Sequence, residues 1–287
     1  MLLGFAHVLF DGAAYGMLLF VMSVGLSITF GMMRFANLAH GTFAMLGGYV
    51  TTTLMHQAGW PYLATLPAAF VLIALASTVI ERFLYRRMYA AKELDQVLLT
   101  IGIIYMSIAA AAYVWGPEQQ IFTLPKFLSG YLSIGTFEFS TFGTFLLVVG
   151  VMITLAVFYG IERTRFGAMI RAAVDNRQVA LGVGINVNLV FSITFAIGSG
   201  LAGLGGALGI NLLGLDPSFP LKYLVYFLIV VTIGGAGSVK GSLLAAMVLG
   251  LSDEAGKYYA PEIGAFYIYA VMLLIMMWRP QGLFARP

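Results

Sequence analysis

The feature that most constrains this chain is a series of long apolar runs filling most of its length. Charge clusters or breaks rich in Pro and Gly separate these runs, at roughly 7–30, 38–57, 62–82, 96–115, 140–160, 189–213, 221–236, 241–256 and 263–278. Most are about as long as the roughly 20 apolar residues that a helix needs to cross a bilayer. The pattern predicts about eight or nine membrane segments. The lower number holds if one of the short runs beside IGGAGSVKG is re-entrant.

Composition supports a membrane location. Of the 287 residues, 61% are hydrophobic and 9% are charged, and the mean hydropathy is +0.95. A soluble domain carries about 25% charged residues. We therefore predict an all-α, polytopic integral membrane bundle forming a single domain over 1–287. Its N-terminus lacks the basic region and cleavage site of a removable signal peptide, so we expect the first span to be an uncleaved signal-anchor.

The basic residues predict the orientation. Only Lys126, Lys222 and Lys257 fall on one side of the predicted bundle. The rest of the Lys and Arg residues collect on the other side: Arg34, Arg82, Arg86, Arg87, Lys92, Arg163, Arg165, Arg171, Arg177, Lys240, Arg279 and Arg286. Because short cytoplasmic loops are rich in Lys and Arg, we expect the C-terminus and the 162–188 loop in the cytosol and the N-terminus outside.

Two loops stand out by length. The stretch 162–188 predicts two short helices around a polar turn at Asp175–Asn176, closed by Gly182 and Gly184. It suits docking into a groove of another protein, and a solvated basic loop that only enforces orientation remains open as an alternative. The outer loop 116–139 is either a connector or a contact for an external partner.

Polar residues within apolar segments indicate functional or packing sites. Arg34, Asn37 and His40 lie at a predicted membrane depth, where such residues are costly and normally face a cavity or a partner. For Asn37 and His40 we favour a hydrogen-bonded packing pair over a proton relay. Asp253 and Glu254 are either interfacial carboxylates or part of the outer mouth of a pathway.

Glycine-rich stretches are the other conspicuous pattern. The run GSGLAGLGGALG (198–209) favours tight helix packing over a gate lined by backbone. The segments 30–49 and 230–251 both contain an apolar helix, a Gly/Ser/Asn-rich break with one basic residue, and a second apolar helix. Discontinuous segments at matching positions in two halves point to a transport pathway.

Motifs for catalysis are missing from the sequence. Without cysteine there are no disulfides, thiolate metal sites or Cys nucleophiles. The chain has no P-loop, no H-E-x-x-H zinc motif and no G-x-S-x-G elbow. We expect no metal site and no enzymatic activity, so any ATP use must come from another subunit.

Several ordered stretches resemble one known family. They are GLSITFGMMRFANLAHGTFAMLGGY (25–49), ERFLYRRM (81–88), DQVLLTIGI (95–103), RFGAMIRAAVDNRQVALGVGINV (165–187), TFAIGSGLAGLGGAL (194–208), IGGAGSVKGSLLAAMVLGLSDE (233–254) and RPQGLF (279–284). They are similar to the branched-chain amino-acid ABC transporter permeases, and in particular to the shorter, H-type permease subunit. The stretches are collinear and cover nearly the whole chain.

The resemblance implies partners and site residues. Such a permease pairs with a second permease subunit, two cytosolic ATPase subunits that bind ATP and Mg, and an external solute-binding protein, in the inner membrane. It binds no cofactor of its own, and no nucleic acid. The family's ATPase-contacting segment matches 165–187, with Arg171, Ala172, Ala173, Gly182 and Gly184 as the coupling residues. Residues of a membrane pathway or of its packing match Asn37, His40, Gly41 and Glu254.

Three classes of function remain open, and each assigns a different role to the polar residues of this chain. An ABC permease subunit would carry a small polar solute, most simply a branched-chain or related amino acid, with ATP hydrolysed by its partners. Urea, short amides and aromatic acids remain open as substrates. A stand-alone channel or secondary transporter would use His40 or Glu254 for ion coupling. A membrane scaffold would leave the polar residues at depth without a role.

Overall fold

The structure is a computed structural model that describes residues 2–33, 35, 37–89, 91–135, 137–279 and 282–283. Arg34 and Arg286, which the orientation argument used, lie outside the described residues, as do Pro280, Gln281 and Phe284 of the last matching stretch.

Helices account for most of the described chain. The first half contains α1 (Leu2–Met33), α2 (His40–His56), α3 (Tyr62–Ile80), which continues through a π-helical turn (Glu81–Tyr85) and a last helical turn (Arg86–Met88), α4 (Glu93–Trp115) and α5 (Thr141–Arg163). The second half contains α6 (Arg165–Asp175), α7 (Arg177–Gly182), α8 (Val187–Leu213), α9 (Phe219–Gly234), α10 (Val239–Tyr259) and α11 (Gly264–Trp278). The nine predicted apolar segments correspond to α1–α5 and α8–α11, and α6 with α7 forms the predicted helical loop.

One element departs from the all-helical expectation. Within the loop 116–139 and just beyond it, β1 (Tyr131–Ile134) pairs antiparallel with β2 (Phe137–Ser140). Gly135, with φ at +66°, lies in the turn between them, where a residue without Cβ adopts this conformation at no steric cost. Phe139 packs against Phe10 of α1 with ring centroids 4.6 Å apart. The hairpin is therefore fastened to the start of the first helix.

Length and hydropathy together distinguish five of the helices from the rest. Among the described residues, five helices are long and apolar enough to cross a membrane: α1, α3 with its extension, α4, α5 and α8. By contrast, α2 has 17 residues, α9 has 16 and α11 has 15, fewer than the roughly 20 that a complete crossing requires. The chain is a polytopic helical membrane protein that also contains shorter helices.

Helix α1 lies at the centre of the bundle. Within its apolar window 89% of the residues are buried, against 17% for α4 and for α5, whose outer faces remain for lipid or another subunit. Glycines allow the central helices to approach closely. A Cβ on Gly47 would overlap the carbonyl oxygen of Gly203, and a Cβ on Gly206 would overlap that of Ala44. The run 198–209 is thus a packing surface against α2 and its neighbours, as its small residues favoured.

The basic segments gather at one end of the bundle, which we call the basic end. There Lys240 lies 3.4 Å from Glu162, the Arg171 guanidinium donates to the carbonyl of Ile161, and Leu283 N–H donates to the Ile233 carbonyl over 2.7 Å. At the opposite end, Lys257 lies over the ring of Tyr15. The contacts agree with the two groups into which the orientation argument divides the Lys and Arg residues.

Candidate pathway and coupling sites

Helix α2 begins deep in the bundle. Its first residue, His40, is 1% exposed, and its Nε2 lies 2.8 Å from the carbonyl oxygen of Met22, about two thirds of the way along α1. Because a carbonyl oxygen only accepts, the ring donates from Nε2. The break before α2 therefore extends from the end of α1 into the interior.

Asn37 lies in this break and bonds to a different helix. Its Oδ1 accepts a hydrogen bond from the Tyr85 hydroxyl over 2.9 Å, while its Nδ2 is buried without a hydrogen-bond partner among the described residues. The side chains of Asn37 and His40 do not bond to each other. The two residues share only a main-chain bond, from His40 N–H to the Asn37 carbonyl over 3.2 Å, because their side chains point to different neighbouring helices.

Gly41 brings the starts of two short helices together. A Cβ at Gly41 would lie 3.0 Å from the carbonyl oxygen of Pro220 and 3.3 Å from the ring of Phe227. Pro220 belongs to the first turn of α9, and Phe227 also packs edge-on against His40 with centroids 6.1 Å apart. The absence of a side chain at Gly41 thus lets the short helices α2 and α9 meet inside the bundle.

Glu254 lies elsewhere, towards the opposite end. Its carboxylate is 3.6 Å from the Lys257 amine, which also lies 2.6 Å from Asp253. The side chain of Asp253 is 4% exposed and that of Glu254 is 30% exposed, so Asp253 is the more deeply buried partner. Lys257 packs over Tyr15, seven residues before Met22 on α1, which is about 10 Å along the axis. The structure therefore does not bring Glu254 to His40.

The second glycine-rich break is a tight turn between α9 and α10. Gly235 and Gly237 both have positive φ, at +86° and +80°. The Gly237 N–H donates to the Ser27 carbonyl over 3.0 Å, and Gly237 lies directly against Gly31. The second break thus packs on the last turns of α1, next to the place where the first break begins.

The 162–188 loop forms two helices at the basic end, as predicted, and we call residues 165–184 the coupling segment, after the role that the family resemblance leads us to expect for it. Thr164 caps α6 by accepting from Gly167 N–H over 3.0 Å. Asn176 separates the two helices and caps α7, accepting from the N–H groups of Gln178 and Val179 over 3.0 and 3.1 Å. Such caps satisfy main-chain donors that a helix start leaves free, so the predicted polar turn has a specific structural cause.

The coupling segment has an inner and an outer face. Inside, Ala173 is 3% exposed, and it belongs with the half-buried Ala172 to a cluster against the start of α8. Arg171 is held by the Ile161 carbonyl. Gly182 and Gly184 lie outside this cluster and are exposed, and Gly184 adopts φ at +86° in the turn that follows α7.

Sequence reasoning missed two features of this end. The first is a set of exposed aliphatic side chains at the end of α7 and just after it, Val179, Leu181 and Val183, which are 61%, 52% and 71% exposed. The second is Glu81, a buried carboxylate among arginines that was included only as part of a matching stretch. Among the described residues, no group of three His, Asp or Glu side chains could hold a metal ion.

Known relatives match the whole bundle. The family described as "Branched-chain amino acid transport system / permease component" matches residues 8–276. The permease LivH of the high-affinity branched-chain amino acid transport system of Escherichia coli K12 is 26% identical, over 99% of this chain and 96% of LivH. A probable LivH permease of Methanocaldococcus jannaschii is 27% identical, over 96% of this chain and 89% of that protein.

A second type of permease is also similar to this chain. LivM of E. coli K12, which carries the same system name, is 25% identical over 95% of this chain and 69% of LivM. No solved structure matches the chain. Since the family match covers nearly the entire bundle, the chain belongs to the branched-chain amino acid transport permease family and is a transport subunit rather than an enzyme.

Proposed function

We propose that this chain is one permease subunit of an ATP-driven importer in a cytoplasmic membrane, with branched-chain amino acids or closely related ones as its solutes. It pairs with a second permease subunit, and an external binding protein delivers the solute. Two ATPase subunits bind ATP and Mg and dock at the basic end. The names and full-length coverage of the LivH relatives support the solute and the division of labour.

The coupling segment carries this proposal. Ala173 packs against the start of α8, whereas Val179, Leu181 and Val183 are exposed. Exposed apolar side chains of this kind suit docking into a groove of another protein. The segment lies beyond the membrane helices, at the end with most of the basic residues, where we expect the ATPase subunits.

These exposed side chains are the place to test docking. Charging Ala172 or Ala173 would disturb the contact with α8, whereas Val183→Asp places a charge outside that contact. We expect Val183→Asp to lower the amount of ATPase subunit that copurifies with the detergent-solubilised transporter by about tenfold, as loss of a central interface residue does.

Ile121→Asp is the matched control. Ile121 is 83% exposed, lies outside the helices and belongs to the loop at the opposite end. This variant should retain the ATPase subunits at the level of the unmodified chain. Equal retention in Val183→Asp would contradict docking at the coupling segment.

A further inference from the structure

Glu81 is a buried carboxylate at the basic end. It begins the π-helical turn after α3 and is 1% exposed, a position that is costly for a carboxylate unless hydrogen bonds compensate. Both oxygens have a partner. Oε1 accepts from the Tyr89 hydroxyl and Oε2 from the Ser192 hydroxyl, each over 2.6 Å. One side chain thus links the end of α3 to α8.

The π-helical turn helps to direct these groups inward. Glu81 and Tyr85 are buried and Tyr89 is half-buried, while the three residues between Glu81 and Tyr85 are exposed. Single π-helical turns are rare and are found frequently at functional sites. The carboxylate of Glu81 and the side chains of Tyr85 and Tyr89 all lie on the side of the helix that faces the interior of the bundle.

On one side, Glu81 connects to the coupling segment. Ser192 belongs to the first turns of α8, which begins shortly after α7. Its neighbour Phe191 lies in the cluster that contains Ala173, and Tyr89 packs edge-on against Phe191 with centroids 6.3 Å apart. A displacement of the coupling segment that carries the start of α8 with it would therefore shift or break the bond between Ser192 and Glu81.

On the other side, Glu81 connects to the break before α2. Tyr85, one turn further along the helix, donates to Asn37. Phe35, also in the break, packs edge-on against Tyr85 and Tyr89 with centroids 5.1 and 6.0 Å away. The carboxylate thus lies between the coupling segment and the break that ends at His40, where α2 begins.

We propose that Glu81 is a positioning residue for ATP-driven transport. By holding Ser192 and Tyr89, it makes the start of α8 and the end of α3 move together, and Tyr85 passes that movement to Asn37. The proposal rests on the proposed function, since it requires ATPase subunits that displace the coupling segment. No atom of Glu81 needs to touch the solute.

Glu81→Gln tests the proposal because it keeps the size of the side chain and removes its charge. Glutamine offers one acceptor oxygen and an amide NH2 that only donates, so it cannot accept from both the Ser192 and the Tyr89 hydroxyls, and the bond that remains is no longer charge-assisted. The measurement is leucine uptake per ATP hydrolysed, by the complete transporter in liposomes with its binding protein. We expect this ratio to fall about tenfold. Defective assembly would instead lower both rates together.

Glu93→Gln is the matched control, because Glu93 is an exposed carboxylate in the first turn of α4. Leucine uptake per ATP hydrolysed by the Glu93→Gln transporter should equal that of the unmodified transporter. An unchanged ratio in Glu81→Gln would overturn the proposal.

Two further variants carry the test if Glu81→Gln does not assemble. Ser192→Ala and Tyr89→Phe each remove one donor and leave the carboxylate in place. We expect each to lower the ratio about threefold or more. Ser199→Ala, at another buried serine of α8, should leave it unchanged. A normal ratio in both Ser192→Ala and Tyr89→Phe would overturn the proposal.

Failure of the proposed function gives a different result. In that case the unmodified complete transporter shows no ATP-dependent uptake of leucine, isoleucine or valine, and both proposals are overturned. If the unmodified transporter is coupled and Val183→Asp loses its ATPase subunits while the Glu81 and Ser192 variants remain fully coupled, only the role of Glu81 is overturned.

Discussion

Gly206 of α8 lies directly against the carbonyl oxygen of Ala44 in α2, with no room for a Cβ between them. Gly47 faces Gly203 in the same interface. In a bilayer, close packing of this kind replaces the hydrophobic effect as a main force between helices. The contact fixes α2, and hence the break that precedes it, against the long helix that continues from the coupling segment.

A methyl group at Gly206 should therefore force α2 and α8 apart. We expect Gly206→Ala to lower the free energy of unfolding by about 1–3 kcal/mol, the usual cost of overpacking. Thermal unfolding of the purified chain in detergent measures the effect. Gly102→Ala, on α4 with no atom within 4 Å of the added methyl, should cause no loss. Equal stability of the two variants would contradict the close contact.

Tyr85→Phe removes one hydroxyl and leaves the ring in its contacts. The amide of Asn37 then loses the donor to its Oδ1 while remaining 2% exposed. Leaving a buried polar group without a partner costs about 1–3 kcal/mol, which should lower the unfolding temperature in detergent. Tyr113→Phe, at a tyrosine that is 91% exposed, should match the unmodified chain. An equal effect of both variants would argue against the bond.

Lys257→Met and Lys240→Met should differ although each removes one lysine of an ion pair. Lys257 is bound to Asp253, whose side chain is 4% exposed, whereas the Glu162 partner of Lys240 is 50% exposed. An uncompensated buried charge is costly. We therefore expect Lys257→Met to lower the free energy of unfolding by about 1–3 kcal/mol, allowing for the exposure of the lysine itself.

We expect Lys240→Met to lower the free energy of unfolding by less than about 1 kcal/mol, as for surface ion pairs in general. Chemical denaturation in detergent compares the two variants directly. A larger loss for Lys240→Met would contradict the assigned burial.

The sequence predicted the elements that depend on local pattern. The apolar segments follow from hydropathy, and the coupling segment follows from its composition and from the polar turn at Asp175–Asn176. Asn176 caps α7 through its own side chain, an interaction within three residues that pattern reasoning can find. The same holds for the packing role of the 198–209 glycines, because small residues at helical spacing have few other uses in a bilayer.

What the sequence could not predict depends on contacts between distant residues. Asn37 and His40 are neighbours along the chain, yet one bonds to Tyr85 and the other to Met22. Glu81 stands beside Arg82 at the end of an apolar run, where a carboxylate would ordinarily face water. Its burial requires Ser192, 111 positions away, and a π-helical turn that composition does not indicate.

The β-hairpin was missed for a different reason. Its strands have only four residues each, too short to give a clear alternation within a loop of mixed character. The second strand pairs with the first, and the contact between Phe139 and Phe10 joins it to the first helix; both are contacts of the folded chain.

The central claim is that this permease moves its solute only within a complete ATP-driven transporter. Leucine uptake into liposomes tests it most directly, with the purified chain alone compared with the transporter that also contains its second permease, its ATPase subunits and its binding protein. The account predicts ATP-dependent uptake by the complete transporter and none above the background of empty liposomes by the chain alone. Uptake by the chain alone, without ATP, would contradict it.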